Sequence, residues 1–357
     1  MHTPDETGTK GAAMGQDQRA ETTDETPRVA MQQMIYGSLF SQMLYVAAQL
    51  GIADLLAEGP KSIEVLATAT GTQAPSLFRV LRVLVSVGIF TQDAQQRFAL
   101  TPRAAWLRTN VPGSLRSMAV YCGAPWIWQA WGQLLEGVRT GQTAFDLVHG
   151  VPLFTYLEQH PEAAAVFNQY MVEMGDHRHA ALAAAYDFAG MHLVVDVGGG
   201  HGAALSAILQ ANPTLRGLLF DLPPVAAGAK EHLVAAGVAD RCDTVGGDFF
   251  AGVPAGGDAY LLQAVLHDWN DAQALQILRN CRQVMADHGT LLVVETVLPA
   301  GNEPSLAKLV DVIMFTLTGG QQRTETEFRA LYTQAGFQLS NVVPTPSGGC
   351  ILEGVPV

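Results

Sequence analysis

Cysteine is scarce in this sequence, and none of its four cysteines belongs to a Cys-X-X-Cys pair. Disulfide frameworks and zinc sites need thiols at characteristic spacings, so the scattered cysteines predict reduced thiols and no structural zinc. Basic residues are also few, with 20 lysines and arginines against 33 acidic residues and a net charge of −13. This balance argues against a nucleic-acid partner bound over the protein surface.

Long apolar runs are missing as well. No stretch approaches the roughly 20 consecutive apolar residues of a membrane-spanning helix. The most apolar segment, 29–52, is interrupted by Gln32, Ser38 and Gln42, and it predicts a buried helix. The start of the chain has neither the basic residues nor the apolar core of a signal peptide, so we expect a cytoplasmic protein with no membrane partner.

The 357 residues suffice for two domains of about 100–200 residues each. Residues 1–28 are polar and predict a disordered tail. Residues 29–185 are mainly helical in pattern, and residues 186–357 alternate short apolar runs with helical patterns. The helical pattern from Met31 to Leu56 is apolar nearly all round, so every side of it needs cover, which a partner subunit could provide.

Residues 62–101 follow the order of a winged helix-turn-helix. A helix begins after Ser62, Gly71 ends it, a second helix runs from Ala74 to Val87, and the segments GIF and RFALT predict a hairpin. Such a unit can bind DNA through its second helix, as it would in a winged-helix regulator with a ligand-sensing domain. The helix SLFRVLRVLVSVG lacks the polar face that reads base edges, so packing is favoured over DNA binding.

The carboxyl-terminal half predicts a doubly wound, Rossmann-like α/β sheet. In such open sheets, ligands bind beyond the carboxyl ends of the strands. The stretch VVDVGGGHGAALSAI (194–208) places Gly198, Gly200 and Gly202 there, between the first strand and the first helix. Glycine is needed where the chain turns sharply or where a ligand approaches the backbone closely.

Two cofactors compete for this turn. Gly198, Gly200 and Ala203 fit the looser dinucleotide pattern of a nicotinamide-dependent dehydrogenase. Gly198, Gly200 and Gly202 instead fit the GxGxG turn that binds S-adenosylmethionine. Asp196 favours the second cofactor, because a carboxylate attracts the methionine ammonium group and is unhelpful beside a pyrophosphate.

Further acids stand at the ends of the next two strands. Asp221, which ends GLLFDL, can accept hydrogen bonds from both ribose hydroxyls of either cofactor. Asp248 and Phe249, in GGDFF, suit the amino group and the ring of an adenine. These residues therefore predict binding sites for an adenosyl group.

A histidine follows the fourth strand of this half, in LLQAVLHDWND (261–271). His267 suits proton removal at neutral pH, because the ordinary histidine pKa is about 6.5. Methyl transfer from a sulfonium is a direct displacement, for which a protein supplies mainly positioning and a base. Glu295 ends the next strand and is the candidate that orients His267, while Asp268 is the adjacent alternative.

Metal binding is not predicted. His177 and His179, in DHRH, are the only closely spaced pair that suggests it. No further residue of suitable type and spacing stands nearby in the sequence to complete a ligand set.

From Met31 to its end, the chain resembles class I S-adenosylmethionine-dependent O-methyltransferases of the caffeic acid O-methyltransferase type. It is most similar to bacterial members that modify aromatic secondary metabolites. The motifs that carry the resemblance are VDVGGGHG, FDLP, GDFF, LHDWND, VVETVLP and DVIMFTLTGGQQRTETEF. The resemblance implies a helical, winged-helix amino-terminal half that forms an intertwined homodimer, and methyl transfer to a hydroxyl of an aromatic acceptor.

The resemblance also implies residue roles. Those implied to contact the cofactor are Gly198, Asp221, Asp248 and Phe249, while His267 is implied to be the base and Glu295 to flank it. Met171 and Met314 match positions that clamp the aromatic acceptor.

Two positions depart from the family pattern. Gln263 stands near the cofactor where plant members usually have lysine. Gln322 stands in GGQQRT where the family motif GGxERT has a second glutamate beside the base. A neutral amide can hold an imidazole but cannot stabilise its cation as a carboxylate does. Methylation of nitrogen or carbon, or a reaction without methyl transfer, stays an alternative on the same scaffold.

Overall fold

The structure is a computed structural model that describes residues 26–346 and 348–357, except for the side chains of residues 176–178. The predicted tail therefore lies almost entirely outside the described residues, and the first helix, α1 (Pro27–Gln49), takes in the last two residues assigned to that tail. Two compact units are distinguished, residues 1–40 and residues 41–357. The predicted boundary between residues 185 and 186 stays a prediction.

The described part of the first unit is the beginning of α1. Most of its large apolar side chains are at least half exposed, namely Met31, Met34, Ile35, Tyr36 and Leu39, while Val29 is 40% exposed and Phe40 is partly buried. The residues that the structure describes therefore do not bury these side chains as predicted. No single described helix is long and apolar enough to cross a membrane, and α1 passes that test only together with residues 52–58 beyond a 54° bend.

The second unit opens with the predicted winged helix. Gly51, at a φ of 64°, ends the long helical pattern and starts α2 (Ile52–Leu55), which a 3-10 turn (Leu56–Glu58) follows. Then come α3 (Ile63–Thr70), α4 (Ala74–Ser86) and the antiparallel pair β1 (Phe90–Gln92) and β2 (Phe98–Leu100). Leu77, Leu81 and Leu84 lie on one face of α4 and are buried against the hairpin, so this face is used for packing.

A helical region connects the winged helix to the sheet. Its elements are a 3-10 turn (Ala104–Leu107), α5 (Arg116–Gly123), α6 (Pro125–Gly132), α7 (Leu134–Thr140), α8 (Ala144–His149), α9 (Leu153–Gln159) and α10 (Pro161–Ala185). Aromatic side chains build its core: Tyr121 stacks on Tyr170 with ring centroids 4.4 Å apart, and Trp126 meets Tyr121 edge-on. The helical region predicted for residues 104–185 is confirmed.

The remaining residues form a seven-stranded sheet within the described chain, in the order β5-β4-β3-β6-β7-β9-β8. Its strands are β3 (Leu193–Val197), β4 (Arg216–Asp221), β5 (Cys242–Gly246), β6 (Ala259–Gln263), β7 (Thr290–Glu295), β8 (Phe337–Pro344) and β9 (Cys350–Pro356). The first five are parallel to one another, whereas β9 runs antiparallel to β7 and to β8. The predicted doubly wound sheet is confirmed, with an antiparallel pair at one edge.

Helices cover both faces of this sheet: α11 (Ala203–Ala211), α12 (Pro223–Ala235), α13 (Asp271–Val284) and α15 (Glu325–Ala335). The remaining helix, α14 (Leu306–Leu317), packs on α6 and α8 of the helical region. Alternate residues of β3 enter different apolar cores, Val195 and Val197 one and Val194 the other, as the period of a strand requires. The strand order reverses at β3, which pairs with β4 on one side and β6 on the other. Ligands of open sheets bind at such a reversal, beyond the strands' carboxyl ends.

Candidate active site

The glycines in the turn after β3 are needed for two different reasons, helix packing and space for a ligand. Gly198, Gly200 and Gly202 all have positive φ, at 73°, 58° and 81°. A Cβ at Gly202 would lie 2.7 Å from Leu219 Cδ1, so the packing of α11 on β4 requires this glycine. A Cβ at Gly200 would meet nothing within 4 Å, so this position borders open space. Gly202 is thus explained by the fold, while Gly200 leaves room for a ligand.

Asp196 lies beneath the turn. It is 1% exposed, and its Oδ2 has no hydrogen-bond partner among the described residues. Gly199 packs on it closely enough that a Cβ there would lie 2.6 Å from Oδ2. Burial, and to a smaller extent the nearby Asp221, raises the pKa of Asp196 to about 7. A buried carboxyl oxygen without a hydrogen-bond partner costs folding free energy, and a cation bound above the turn would supply the missing interaction.

Asp221 is tied to the same turn. Its Oδ2 accepts a hydrogen bond from Gly200 N–H at 2.8 Å, and its Oδ1 accepts one from Leu222 N–H at 2.7 Å. Burial raises the pKa of Asp221, and these two bonds and His201 oppose the rise. Each carboxylate oxygen can accept more than one hydrogen bond, so capacity remains for hydroxyl groups of a ligand.

Asp248 and Phe249 follow β5 by two and three residues. Asp248 Oδ1 accepts a hydrogen bond from Phe250 N–H at 2.8 Å. The Phe249 ring packs edge-on against Trp269, with centroids 5.9 Å apart, and its Cε1 lies 3.5 Å from where a Cβ at Gly198 would be. The fold therefore sets an aromatic ring beside the glycine turn.

His267 and Glu295 form the second part of the site. His267 lies in a 3-10 turn (Leu266–Asp268) that begins just after Ala264, a non-glycine residue at a φ of 54°. Its ring Nδ1 lies 2.7 Å from Glu295 Oε2, and its backbone N–H donates to Glu295 Oε1 at 3.2 Å. One buried carboxylate therefore holds both the ring and the backbone of His267.

The neighbours of the ring decide which nitrogen carries the proton. Gln322 Nε2 lies 3.2 Å from His267 Nδ1. Nδ1 can either donate to Glu295 or accept from Gln322, and a hydrogen bond to a charged oxygen is the stronger of the two. The carboxylate therefore favours the tautomer with the proton on Nδ1, in which Nε2 is the basic nitrogen.

Asp268 lies near this nitrogen without bonding to it. Its Oδ1 is 3.8 Å from His267 Nε2, beyond hydrogen-bond distance. Burial raises the pKa of Asp268 to about 6, with His267 opposing the rise and Glu295 adding to it. Of the two candidates for orienting His267, the geometry therefore favours Glu295.

Gln263 ends β6 and borders the base. It lines a small cavity of about 40 Å³ together with His267, Glu295, Thr345 and Gly349. Its Oε1 is buried and has no hydrogen-bond partner among the described residues. A contact between Gln263 and a cofactor stays a prediction.

The two methionines lie on different helices, Met171 on α10 with 41% exposure and Met314 half-buried on α14. Their role as a clamp stays a prediction. The described residues include no cluster of three or more His, Cys, Asp or Glu side chains that could hold a metal ion, although the side chain of His177 is not described. Sequence reasoning missed Arg323, which is buried beside His267, and its only signal was the motif GGQQRT.

Comparisons with known proteins identify the class of this fold and site. A family profile described as "O-methyltransferase domain" matches residues 131–338, and one described as "O-methyltransferase dimerisation domain" matches residues 32–110. The chain belongs to this O-methyltransferase family. It is an S-adenosylmethionine-dependent O-methyltransferase that carries the dimerisation domain of the family.

Individual relatives cover nearly the whole chain. The phenazine O-methyltransferase PhzM of Lysobacter antibioticus is 49% identical, over 91% of this chain and 95% of that one. The phenazine-1-carboxylate N-methyltransferase of Pseudomonas aeruginosa is 35% identical, over 88% and 93%. The crystal structure of NcsB1, an O-methyltransferase from neocarzinostatin biosynthesis, with S-adenosylmethionine and 2-hydroxy-5-methyl naphthoic acid has a TM-score of 0.81 and 35% identity, over 89% and 96%.

Proposed function

We propose that the enzyme methylates a hydroxyl group of an aromatic small molecule of secondary metabolism, with His267 as the general base. The observation that carries the proposal is the 2.7 Å contact between His267 Nδ1 and Glu295 Oε2, because a carboxylate at Nδ1 favours the tautomer in which Nε2 is the basic ring nitrogen. The acceptor class is supported by the aromatic compounds in the names of PhzM and of the NcsB1 complex.

The residues around the glycine turn fit S-adenosylmethionine. When bound, this cofactor supplies a methyl group on a positively charged sulfur, which the acceptor oxygen attacks by direct displacement. Asp196 offers its unmet oxygen to the ammonium group, and Gly200 leaves the backbone open to close approach. Asp221 accepts the ribose hydroxyls.

The residues after β5 bind the adenine end of the cofactor. Asp248 accepts a hydrogen bond from the adenine amino group, and the Phe249 ring packs against the base. Gly198 lies at ordinary contact distance from that ring, and it is required by Val265, whose Cγ2 would lie 2.9 Å from a Cβ at this position. Gln263 contributes through its unpartnered Oε1 on the side of the site nearer to His267.

His267 removes the proton of the acceptor hydroxyl as the new O–CH₃ bond forms. The proton passes to Nε2, and the ring becomes an imidazolium. Glu295 keeps the ring in the correct tautomer and stabilises the cation without taking the proton itself, as the carboxylate of a Ser-His-Asp triad does. Asp268, 3.8 Å from Nε2, adds negative charge next to the same cation when it is ionised. Gln322 holds the ring but contributes no charge.

The acceptor pocket and the assembly complete the proposal. Met171 and Met314 clamp the aromatic ring of the acceptor, and residues 29–185 and 186–357 act as dimerisation and catalytic domains of a homodimer. The exposed apolar side chains of α1 support a partner subunit as their cover. All four cysteines are free, which suits the reducing cytoplasm.

The proposal is tested with His267→Ala and, as a matched control, the exposed His288→Ala. S-adenosylhomocysteine affinity is measured by calorimetry, and hydroxynaphthoates and hydroxyphenazines are screened by mass for a gained methyl group. We expect His267→Ala to bind S-adenosylhomocysteine normally and to lose turnover about 10²–10⁴-fold, while the control keeps both. Unchanged turnover in His267→Ala would refute the base assignment.

The N-methyltransferase relative favours one second candidate, methylation of an acceptor nitrogen. The same screen separates the two functions when the methylated product is analysed by NMR. A methyl carbon bonded to nitrogen would replace our assignment, because a methylated ring nitrogen needs no hydroxyl proton to be removed.

A further inference from the structure

Arg323 is a buried cation beside the catalytic segment. Its side chain is 1% exposed, which makes it the largest fully buried side chain among the described residues. Arginine is almost never fully buried unless every donor has a partner, because the cost of removing its charge from water is high. The partners of Arg323 therefore indicate why the fold retains it.

The three shortest hydrogen bonds of the Arg323 side chain go to residues 266–271, and a longer one of 3.5 Å goes to Gln321 O. Nη1 donates to Leu266 O at 2.8 Å, Nη2 donates to Trp269 O at 2.8 Å, and Nε donates to Asp271 Oδ1 at 2.9 Å. These acceptors stand on both sides of His267 in the sequence. The planar guanidinium thus bridges the start and the end of the turn that carries the base.

The residues that precede Arg323 contact the same turn. Gln321 N–H donates to His267 O at 2.9 Å, and Gly320 packs so closely on His267 O that a Cβ there would collide with it. Gln322 reaches the ring of His267 at Nδ1. Gly320, Gln321 and Gln322 therefore all contact His267, and Arg323 bonds to residues on both sides of it.

We propose that Arg323 is a positioning residue, which fixes the turn at residues 266–271 so that the His267 ring meets Glu295. The proposal rests on the proposed role of His267 as the base. Arg323 acts through the backbone of the turn, because its donors are taken up by two carbonyl groups and Asp271. A misplacement of about 1 Å in a catalytic group can cost about 10²-fold in rate, so a loosened turn is expected to slow methyl transfer.

The decisive variant is Arg323→Lys. Lysine keeps the positive charge, but its single ammonium group cannot reproduce the bidentate bridge between two carbonyl groups. The matched control is Arg329→Lys, which alters an arginine bonded to Glu325 and to Leu339 O, outside the turn. Both variants are made in the full-length chain.

The first measurement needs no acceptor. Histidine ring signals are recorded by NMR with ¹⁵N-labelled histidine in the presence of S-adenosylhomocysteine, and the His267 signal is identified by its loss in His267→Ala. We expect wild type and Arg329→Lys to show the tautomer with hydrogen on Nδ1, and Arg323→Lys to show a mixture. An unchanged His267 signal in Arg323→Lys would overturn the proposal, whether or not methyl transfer to a phenol has been found.

Turnover provides the second measurement, with the hydroxynaphthoates and hydroxyphenazines used above. We expect Arg323→Lys to lose kcat about 10²-fold, with little change in acceptor KM or in S-adenosylhomocysteine affinity. A double variant with His267→Ala should be no slower than His267→Ala alone, because the base on which Arg323 acts is gone. A further independent loss in the double variant, or a loss of cofactor affinity equal to that of kcat, would show a merely structural role.

A milder variant covers the case in which Arg323→Lys does not fold. Asp271→Asn weakens the bonds that Oδ1 accepts from Arg323 Nε and from Gln321 Nε2 but leaves both carbonyl bonds of Arg323 in place. The Asp271 side chain is 71% exposed, so little burial is lost. We expect the same change in the His267 signal and a smaller loss of kcat. A folded Asp271→Asn enzyme with an unaltered signal and full kcat would contradict the proposal.

Discussion

Replacing Glu295 with glutamine should invert the tautomer of His267. Glu295 accepts a hydrogen bond from His267 N–H through Oε1 and faces Nδ1 through Oε2. In Glu295→Gln, the amide oxygen keeps the backbone bond, so the amide nitrogen takes the place of Oε2. That nitrogen donates to Nδ1, and the neutral ring then carries its hydrogen on Nε2, where it cannot accept a proton from the acceptor.

The size of the effect follows from the burial of the pair. Unit charges 4 Å apart attract by about 1 kcal/mol in water and by about 4 kcal/mol at an effective dielectric constant of 20. The Glu295 side chain is 1% exposed and that of His267 16%, so the larger value is the better guide. Loss of a comparable carboxylate in a Ser-His-Asp triad costs about 10⁴-fold in kcat. We expect Glu295→Gln to lose about 10²–10⁴-fold.

The assay is the rate of methyl transfer across pH 5–10 at saturating cofactor. S-adenosylhomocysteine affinity should be retained, because the glycine turn and Asp221 belong to other strands. Turnover of Glu295→Gln within about threefold of wild type would refute the reasoning, since it would mean that proton removal does not depend on Nε2 of His267.

Three further predictions concern the turn and the amide beside the base. Burial holds the pKa of Asp196 at about 7 against an ordinary 3.8, so the unfolded chain loses this proton first and the free energy of unfolding falls as the pH rises between these values. Asp196→Asn should therefore raise the melting temperature of the ligand-free protein at pH 8, relative to wild type, but not at pH 4. The same variant should weaken S-adenosylhomocysteine binding in calorimetry. Gly202→Ala should lower the free energy of unfolding by about 1–3 kcal/mol through overlap with Leu219. Gly200→Ala should lower the free energy of unfolding less but should lose cofactor affinity. Equal losses of unfolding free energy in urea titrations of the two variants would contradict this distinction. Gln322→Glu should raise the pKa of His267 and move the acidic limb of the pH–rate profile to higher pH, and an unmoved limb would mean that the new carboxyl group stays protonated.

The strand, glycine turn and helix after Leu193 were predictable because their geometry is local. A strand, an acid, three glycines and a helix follow one another within residues 193–211, and each needs only its neighbours to be understood. Asp221 and Glu295 were predictable for a related reason, since both end parallel strands whose carboxyl ends lie at one edge.

Other features depend on contacts between distant segments. Arg323 bonds to Leu266, 57 residues away, and nothing in GGQQRT signals that its arginine is buried. The antiparallel direction of β9 is equally hidden, because an apolar strand pattern reads the same in both directions. The exposed apolar side chains of α1 are a third example, because composition predicts that this helix must be buried but does not identify the surface that buries it.

The pairing of β7 with β9 has a consequence for how the enzyme is assembled during synthesis. Glu295 stands opposite Cys350 in this ladder, and Gln322 and Arg323 also follow β7 in the chain. Asp196 and Asp221, on β3 and β4, and Asp248, just after β5, are all made before residue 263. A nascent chain can therefore complete its cofactor pocket well before its base is in place, and a chain cut before Cys350 would keep the pocket while Glu295 lost the strand beside it.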